Sequence, residues 1–378
     1  MIGDHALPNH AEPHNVGEQA DPQGWQLSRR DALVGLTAVT AVVAAGAGGL
    51  AEASNWLDPQ RLTPSRFADR FEQVYGRHNG FRRNHAKGLA ASGTFTSNAA
   101  GAEVSKASVF GRGTVPVTAR FSLSGGVPDA ADKPATVRGL AILFALPDGQ
   151  QWRTAMVNLP VFPDRTPEGF YERILASKPD PTTGQPNPQA MSAFLKRHPE
   201  TAAAMKVIKG SPPTAGFADS TFRGLNAFVA TSHGSASVPI RWSAVPVDAG
   251  VESAPGPGGD DYLFDTLIER VQRGPVSWRL VLTVAEPGDP IDDATLAWPA
   301  QRRTIDAGLI TIDQVHTESA GNARDINFDP LVLPVGLGPS DDPLPRARSA
   351  VYARSFDRRS REPKSPSEIN VRKVDDVD

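Results

Sequence analysis

Alternation of apolar and polar residues in VTARFSL, residues 117–123, constrains the fold of this chain more than any other feature. Successive side chains of a strand point to opposite faces, so Val117, Ala119, Phe121 and Leu123 share one side and Thr118, Arg120 and Ser122 the other. Further strands are predicted over RGLAILFAL (138–146), VPIRWSAV (238–245) and SWRLVLTVA (277–285). These runs lie far apart, and between them come helical spacings and proline-rich loops such as KPDPTTGQPNP and APGPGGD. The pattern predicts an α+β chain built on an antiparallel barrel or sandwich with helical insertions. Apolar residues at 39% and charged residues at 21% describe a chain able to bury a core, so the 34 prolines and 34 glycines read as ordered turns rather than disorder.

Helices are predicted in three places. Thr63-Pro64 reads as an N-cap and first helical position, followed by Phe67, Phe71, Val74 and Tyr75 at helical spacing. Asp261–Arg273 is stopped by Gly274-Pro275, and the Met191–Lys209 region is the third. No internal repeat or linker divides the chain. The expected division is a leader over residues 1–53, a single domain over 54–361 and a charged, mobile tail over 362–378. In the leader, Arg29-Arg30 precede an uncharged run from Ala32 to Leu50, and Ala51-Glu52-Ala53 fits a small-x-small cleavage site. This predicts a twin-arginine export signal, carriage by the twin-arginine translocase and a periplasmic or cell-envelope location. An uncleaved membrane anchor is the alternative.

A net charge of −3 gives no electrostatic case for a nucleic-acid partner. The absence of cysteine excludes disulfides, thiolate metal sites and cysteine nucleophiles, so any metal must sit on His, Tyr, Asp or Glu. His78, His198, His233 and His316 read as surface residues, and no histidine pair has metal-site spacing. His85 differs, because FRRNHAKG places it just after two arginines at the edge of an apolar and small-residue stretch. It is either a surface histidine in a basic patch or a proton shuttle beside anionic groups. In RARSAVYARSFDRRS, residues 346–360, Arg348 and Tyr352 are four apart and share a helical face. A phenol must lose its proton to bind ferric iron, and a guanidinium at contact distance favours the phenolate by about 4 kcal/mol at an effective dielectric of about 20. An exposed arginine-rich helix fits the same residues.

RNHAKGLAASGTFT, TARFSLSGG, VRGLAILF, NLPVF and RARSAVYARSFDRR occur in the order found in the haem catalase family, which the chain resembles over about residues 64–361. The resemblance implies a catalase-like antiparallel β-barrel with surrounding helices and a haem b cofactor. Tyr352 matches the tyrosine that ligates iron, Arg348 the arginine that keeps it ionised, and His85 the distal histidine. Arg82, Arg120 and Arg359 match the arginines that hold the haem propionates, a task for which a bidentate guanidinium is suited. Ser122 matches the serine that orients the distal ring, and Phe162 and Phe170 match phenylalanines packed on the distal side.

Several positions depart from true catalases. Val157 falls where the catalytic asparagine is expected, with Asn158 one residue later as the catalytic candidate. Thr136 and Ser124 replace channel residues, an aspartate and a valine, and Asn84 replaces the valine beside the distal histidine. The C-terminus is expected to lack the helical cover and the flavodoxin-like domain. The chain therefore looks like the small catalase-related peroxidases, which reduce organic or hydrogen peroxide with an external electron donor and dismute little. A fatty-acid hydroperoxide isomerase of the allene oxide synthase kind, and an exported haem-binding barrel without catalysis, stay open as alternatives. A homo-oligomer is compatible with all three readings.

Overall fold

The computed structural model describes residues 62–133, 135–180, 182–248 and 259–372, so the leader and its twin-arginine segment lie outside the described residues. Ten strands follow in chain order: β1 (Gly88–Ser97), β2 (Gly113–Leu123), β3 (Arg138–Ala145), β4 (Gln151–Val157), β5 (Phe222–Arg223), β6 (Phe228–Thr231), β7 (Ser237–Pro246), β8 (Val276–Val284), β9 (Thr304–His316) and β10 (Leu337–Pro339). Pairing runs β1-β2-β3-β4-β5-β7-β8-β9 and returns to β1, all antiparallel, which closes an eight-stranded barrel with β6 and β10 beside β7. Closure removes the free edges that a long open sheet would expose. The interior is filled by side chains. Phe95, Phe121, Phe144, Trp152, Trp242 and Trp278 are all buried there, together with the expected inward set Val117, Ala119, Phe121 and Leu123.

Six helices surround the barrel among the described residues: α1 (Pro64–Tyr75), α2 (Pro167–Ala176), α3 (Pro188–Arg197), α4 (Pro199–Lys209), α5 (Tyr262–Arg273) and α6 (Pro343–Ser360). Each begins where the local chemistry allows. Thr63 Oγ1 accepts from Arg66 N at 3.3 Å to cap α1, and Asp342 Oδ1 accepts from Leu344 N at 2.9 Å to cap α6. The region expected to be one helix over Met191–Lys209 is two, because Pro199 cannot continue α3 and instead starts α4.

The segment after Arg361 departs from the expected mobile tail as far as Arg372. Glu362 accepts from Arg83 Nη1 at 2.8 Å and from Gly80 N at 3.0 Å, and Ile369 is buried in the main hydrophobic cluster. Its charged composition suggested solvation, but the carboxylate has a buried arginine partner and the isoleucine a place in the core. Residues 373–378 lie outside the described residues.

Candidate active site

The outward face of the barrel forms one wall of a cavity, and strand register decides its shape. Ser122 sits between Gly88 on β1 and Gly139 on β3, and Gly139 in turn pairs with Val157 on β4. The next row on the same face runs Ala90, Arg120, Ala141 and Ala155. Of these, Gly139, Ala141, Ala155 and Val157 line the cavity beside Ser122 and Arg120 and are small or short, so they make a floor on which a flat group can lie. The two glycines are required. A Cβ at Gly139 would come within 2.9 Å of Ser122 Oγ and 3.2 Å of His85 Nδ1, and one at Gly88 within 2.3 Å of Arg120 Nη2.

The facing wall is α6. Arg348, Tyr352 and Phe356 succeed one another at four-residue intervals, and Arg359 follows Tyr352 by two turns, so all four line the same cavity. Arg348 Nη2 donates to the Tyr352 oxygen at 3.4 Å. Arg348 is itself anchored: Nη1 donates to Asn226 Oδ1 at 2.8 Å, and Asn226 Nδ2 donates to Asp342 Oδ2 at 2.8 Å. The helix cap and the tyrosine are thus joined by one chain of hydrogen bonds. Phe67 and Phe71 from α1, with Phe162 and Phe170, close the apolar side, the last two edge to face at 5.6 Å between centroids.

His85 lies in a turn leading into β1, with φ +57°, in the left-handed region. Its ring lines the cavity, with Nδ1 3.0 Å from Ser122 Oγ. Burial, with the charges of Arg120, Arg348 and Arg82, lowers its pKa to about 3, so the imidazole is neutral at neutral pH. Arg82, Arg120 and Arg359 gather at one end. Arg82 Nη2 donates to Ala323 O and Ile326 O, both at 3.0 Å, and Arg359 Nη2 to Ile326 O at 3.2 Å. Burial and mutual repulsion with Arg120 hold Arg82 well below the usual arginine range and Arg359 at about 10. Glu318 is buried beside them. Burial pushes its carboxyl up, but Arg120 and Arg82 more than offset this and hold it at about 2.

A floor of small residues, an apolar flank, a phenol oxygen facing the cavity and a surplus of arginine at one end fit a planar, largely apolar macrocycle carrying two carboxylates and an oxygen-liganded metal. Tyr352 would hold its iron, and Arg82, Arg120 and Arg359 its propionates. A family model described as Catalase matches residues 75–371. This chain belongs to the catalase family. It is 38% identical to a catalase-related peroxidase of Synechococcus elongatus, over 79% of this chain and 89% of the relative. It is 32% identical to a catalase-related peroxidase of Mycolicibacterium paratuberculosis, over 78% of this chain and 94% of that relative. Catalases are larger. A solved fungal catalase superposes with a TM-score of 0.65 at 20% identity, and a bacterial catalase with 0.64 at 22%. This chain covers 60% and 62% of those structures, respectively. Its truncated catalase barrel is that of an oxidoreductase acting on peroxide, in a family whose members generally bind haem.

The structure brings together in one cavity His85, Ser122, Arg82, Arg120, Phe162, Phe170, Arg348, Tyr352 and Arg359. Asn158 is the exception. Its Oδ1 accepts from Arg138 N at 2.8 Å, and Val157, not Asn158, lines the cavity. Asn158 follows the end of β4, and its amide oxygen is engaged by the Arg138 backbone rather than facing the cavity. Gly88, Gly139, Asn226 and Glu318 were not singled out from the sequence. Of these only the glycines carried a signal, as small residues inside strand patterns where close approach was needed. Among the described residues no cluster of three or more His, Asp or Glu could hold a metal ion elsewhere.

Proposed function

We propose that this protein is a haem b peroxidase that reduces organic hydroperoxides and hydrogen peroxide at the expense of an external small-molecule donor, with little dismutation of hydrogen peroxide. The observation that carries this reading is the composition of the distal wall. His85 and Ser122 are its paired protic groups, and the neighbouring position on β4 is Val157, flanked by Phe162 and Phe170. The haem, once bound, supplies the iron at which the peroxide oxygen–oxygen bond is cleaved.

The chain's own residues direct the protons. With Ser122 Oγ accepting from Nδ1–H, the Nε2 lone pair of His85 faces the substrate as a base, and the low pKa keeps it unprotonated. His85 takes the proton of the arriving peroxide at Nε2 and delivers it to the leaving oxygen. Phe162 and Phe170 exclude water on that side and offer an apolar surface to an alkyl or aryl substituent. Arg348 donates to the Tyr352 oxygen from within the Asp342–Asn226 chain, which fixes the ligand's direction. Export of the folded protein through the twin-arginine translocase, on the strength of Arg29-Arg30, is part of the same proposal.

The test supplies the haem-loaded chain with an aryl hydroperoxide, a lipid hydroperoxide and hydrogen peroxide, each with a phenolic dye. Dye oxidation in step with peroxide loss and little oxygen evolution is expected. Oxygen as the main product from hydrogen peroxide would show a true catalase. Loss of the lipid hydroperoxide with the dye left reduced would show an isomerase.

A further inference from the structure

Glu318 has no part in the roles above, yet it is 4% exposed and grips the arginine closest to the catalytic histidine. We propose that Glu318 is a positioning residue for His85, acting through Arg120 on the turn that presents the imidazole; this rests on the peroxidase reading above.

A guanidinium has five N–H donors in one plane. Arg120 Nε donates to Glu318 Oε1 at 2.7 Å and Nη2 to Oε2 at 3.0 Å, a bidentate pair that sets the plane from one edge. From the other edge Nη1 donates to His85 O at 2.9 Å and Nη2 to Ala86 O at 3.1 Å. A carboxylate on one side thus aims two donors at consecutive carbonyls on the other. Those carbonyls belong to the turn in which His85 has φ +57°, a conformation strained for a residue with a Cβ, which therefore has to be held. The fit is close, since only glycine at position 88 leaves room for the guanidinium.

One Nη1 N–H of Arg120 remains for a ligand carboxylate, so the arginine can meet a propionate without letting go of the turn. Without Glu318, an arriving carboxylate would compete for the whole guanidinium. Arg120 would then swing toward it and release the His85 and Ala86 carbonyls. Arg82, whose Nη1 lies 3.4 Å from Glu318 Oε1, would lose that carboxylate but keep the Ala323 and Ile326 carbonyls. Cofactor binding and histidine placement are thereby separable. Arg82 and Arg359 can retain the cofactor while the turn relaxes.

The test uses the full-length, haem-loaded chain as wild type, Glu318→Gln and Glu318→Asp. Haem content is read by absorption, cyanide affinity by spectral titration, and kcat and KM for peroxide by turnover. Cyanide enters as its conjugate acid and leaves a proton for the distal base, so its affinity reports on His85 without turnover. Glu318→Gln is expected to keep its haem but bind cyanide about tenfold more weakly, a hydrogen-bond-sized loss, with kcat down by a similar factor and KM nearly unchanged. Glu318→Asp, which keeps the charge at shorter reach, is expected to recover part of both and serves if the glutamine variant does not fold. Unchanged cyanide affinity in a haem-loaded variant overturns the inference alone, as does loss of haem in step with cyanide affinity in both variants. A wild-type chain that takes up no haem overturns the peroxidase reading and this inference with it.

Discussion

Ser122 Oγ lies 3.0 Å from His85 Nδ1, and Gly139, paired with Ser122 on β3, leaves the space in which that contact forms. The hydrogen bond orients the ring and leaves Nε2 for the substrate. Ser122→Ala is expected to keep haem and lower kcat/KM for peroxide about five- to tenfold, the worth of one neutral hydrogen bond. Gly139→Ala, whose added carbon would sit 2.9 Å from the serine oxygen, is expected to lose at least as much. Steady-state turnover at matched haem content checks both.

Val157 lines the cavity where a second protic group would assist hydrogen peroxide as reductant. Val157→Asn is expected to raise oxygen evolution from hydrogen peroxide several-fold and to lower turnover of bulky apolar hydroperoxides. An oxygen electrode and dye oxidation, run side by side, measure the exchange.

His85 is held at about 3, against an ordinary 6.5, by burial first and then by Arg120, Arg348 and Arg82. It therefore remains a base throughout the range where a free histidine would be protonated, and kcat/KM should show no fall centred near pH 6.5. The sign for stability follows from the same shift. Between pH 6.5 and about 3 the unfolded chain binds a proton at this residue that the folded chain does not, so acid in that window favours unfolding. Replacing His85 by Gln is expected to flatten that part of a stability–pH curve.

Glu362 joins the last described segment to Arg83, one residue from Arg82. Burial raises its carboxyl, but the hydrogen bonds from Arg83 and Gly80 prevail and hold it at about 2 instead of 4.5. Its contribution is complete above about pH 4.5 and is lost as the pH falls toward 2. Glu362→Gln leaves the Arg83 side chain, 4% exposed, with Glu72 as its remaining carboxylate and is expected to lower the melting temperature at pH 7. In thermal unfolding the gap between variant and wild type should close in acid.

What was legible in the sequence was whatever depends on local spacing. Period-two alternation put Arg120 and Ser122 on one face of β2, and four-residue spacing put Arg348 against Tyr352, both as found. What was not legible depends on register between distant strands. Gly139 matters because it lies opposite Ser122, Asn226 because it bridges Asp342 and Arg348, and Glu318 because β9 brings the following loop to β2. Local composition carries none of these pairings. The same limit covers Asn158, which follows the end of β4 and is engaged by the Arg138 backbone, and Glu362, whose partner Arg83 lies at the other end of the domain.

The most direct test of the site is the absorption spectrum of the chain produced with ample haem, as wild type and as Tyr352→Phe. The wild type is expected to be coloured, with the signature of a five-coordinate high-spin ferric haem bound through a phenolate oxygen, and the variant to lose the haem or that signature. A colourless wild type, or a Tyr352→Phe protein with the same spectrum and haem content, would contradict it.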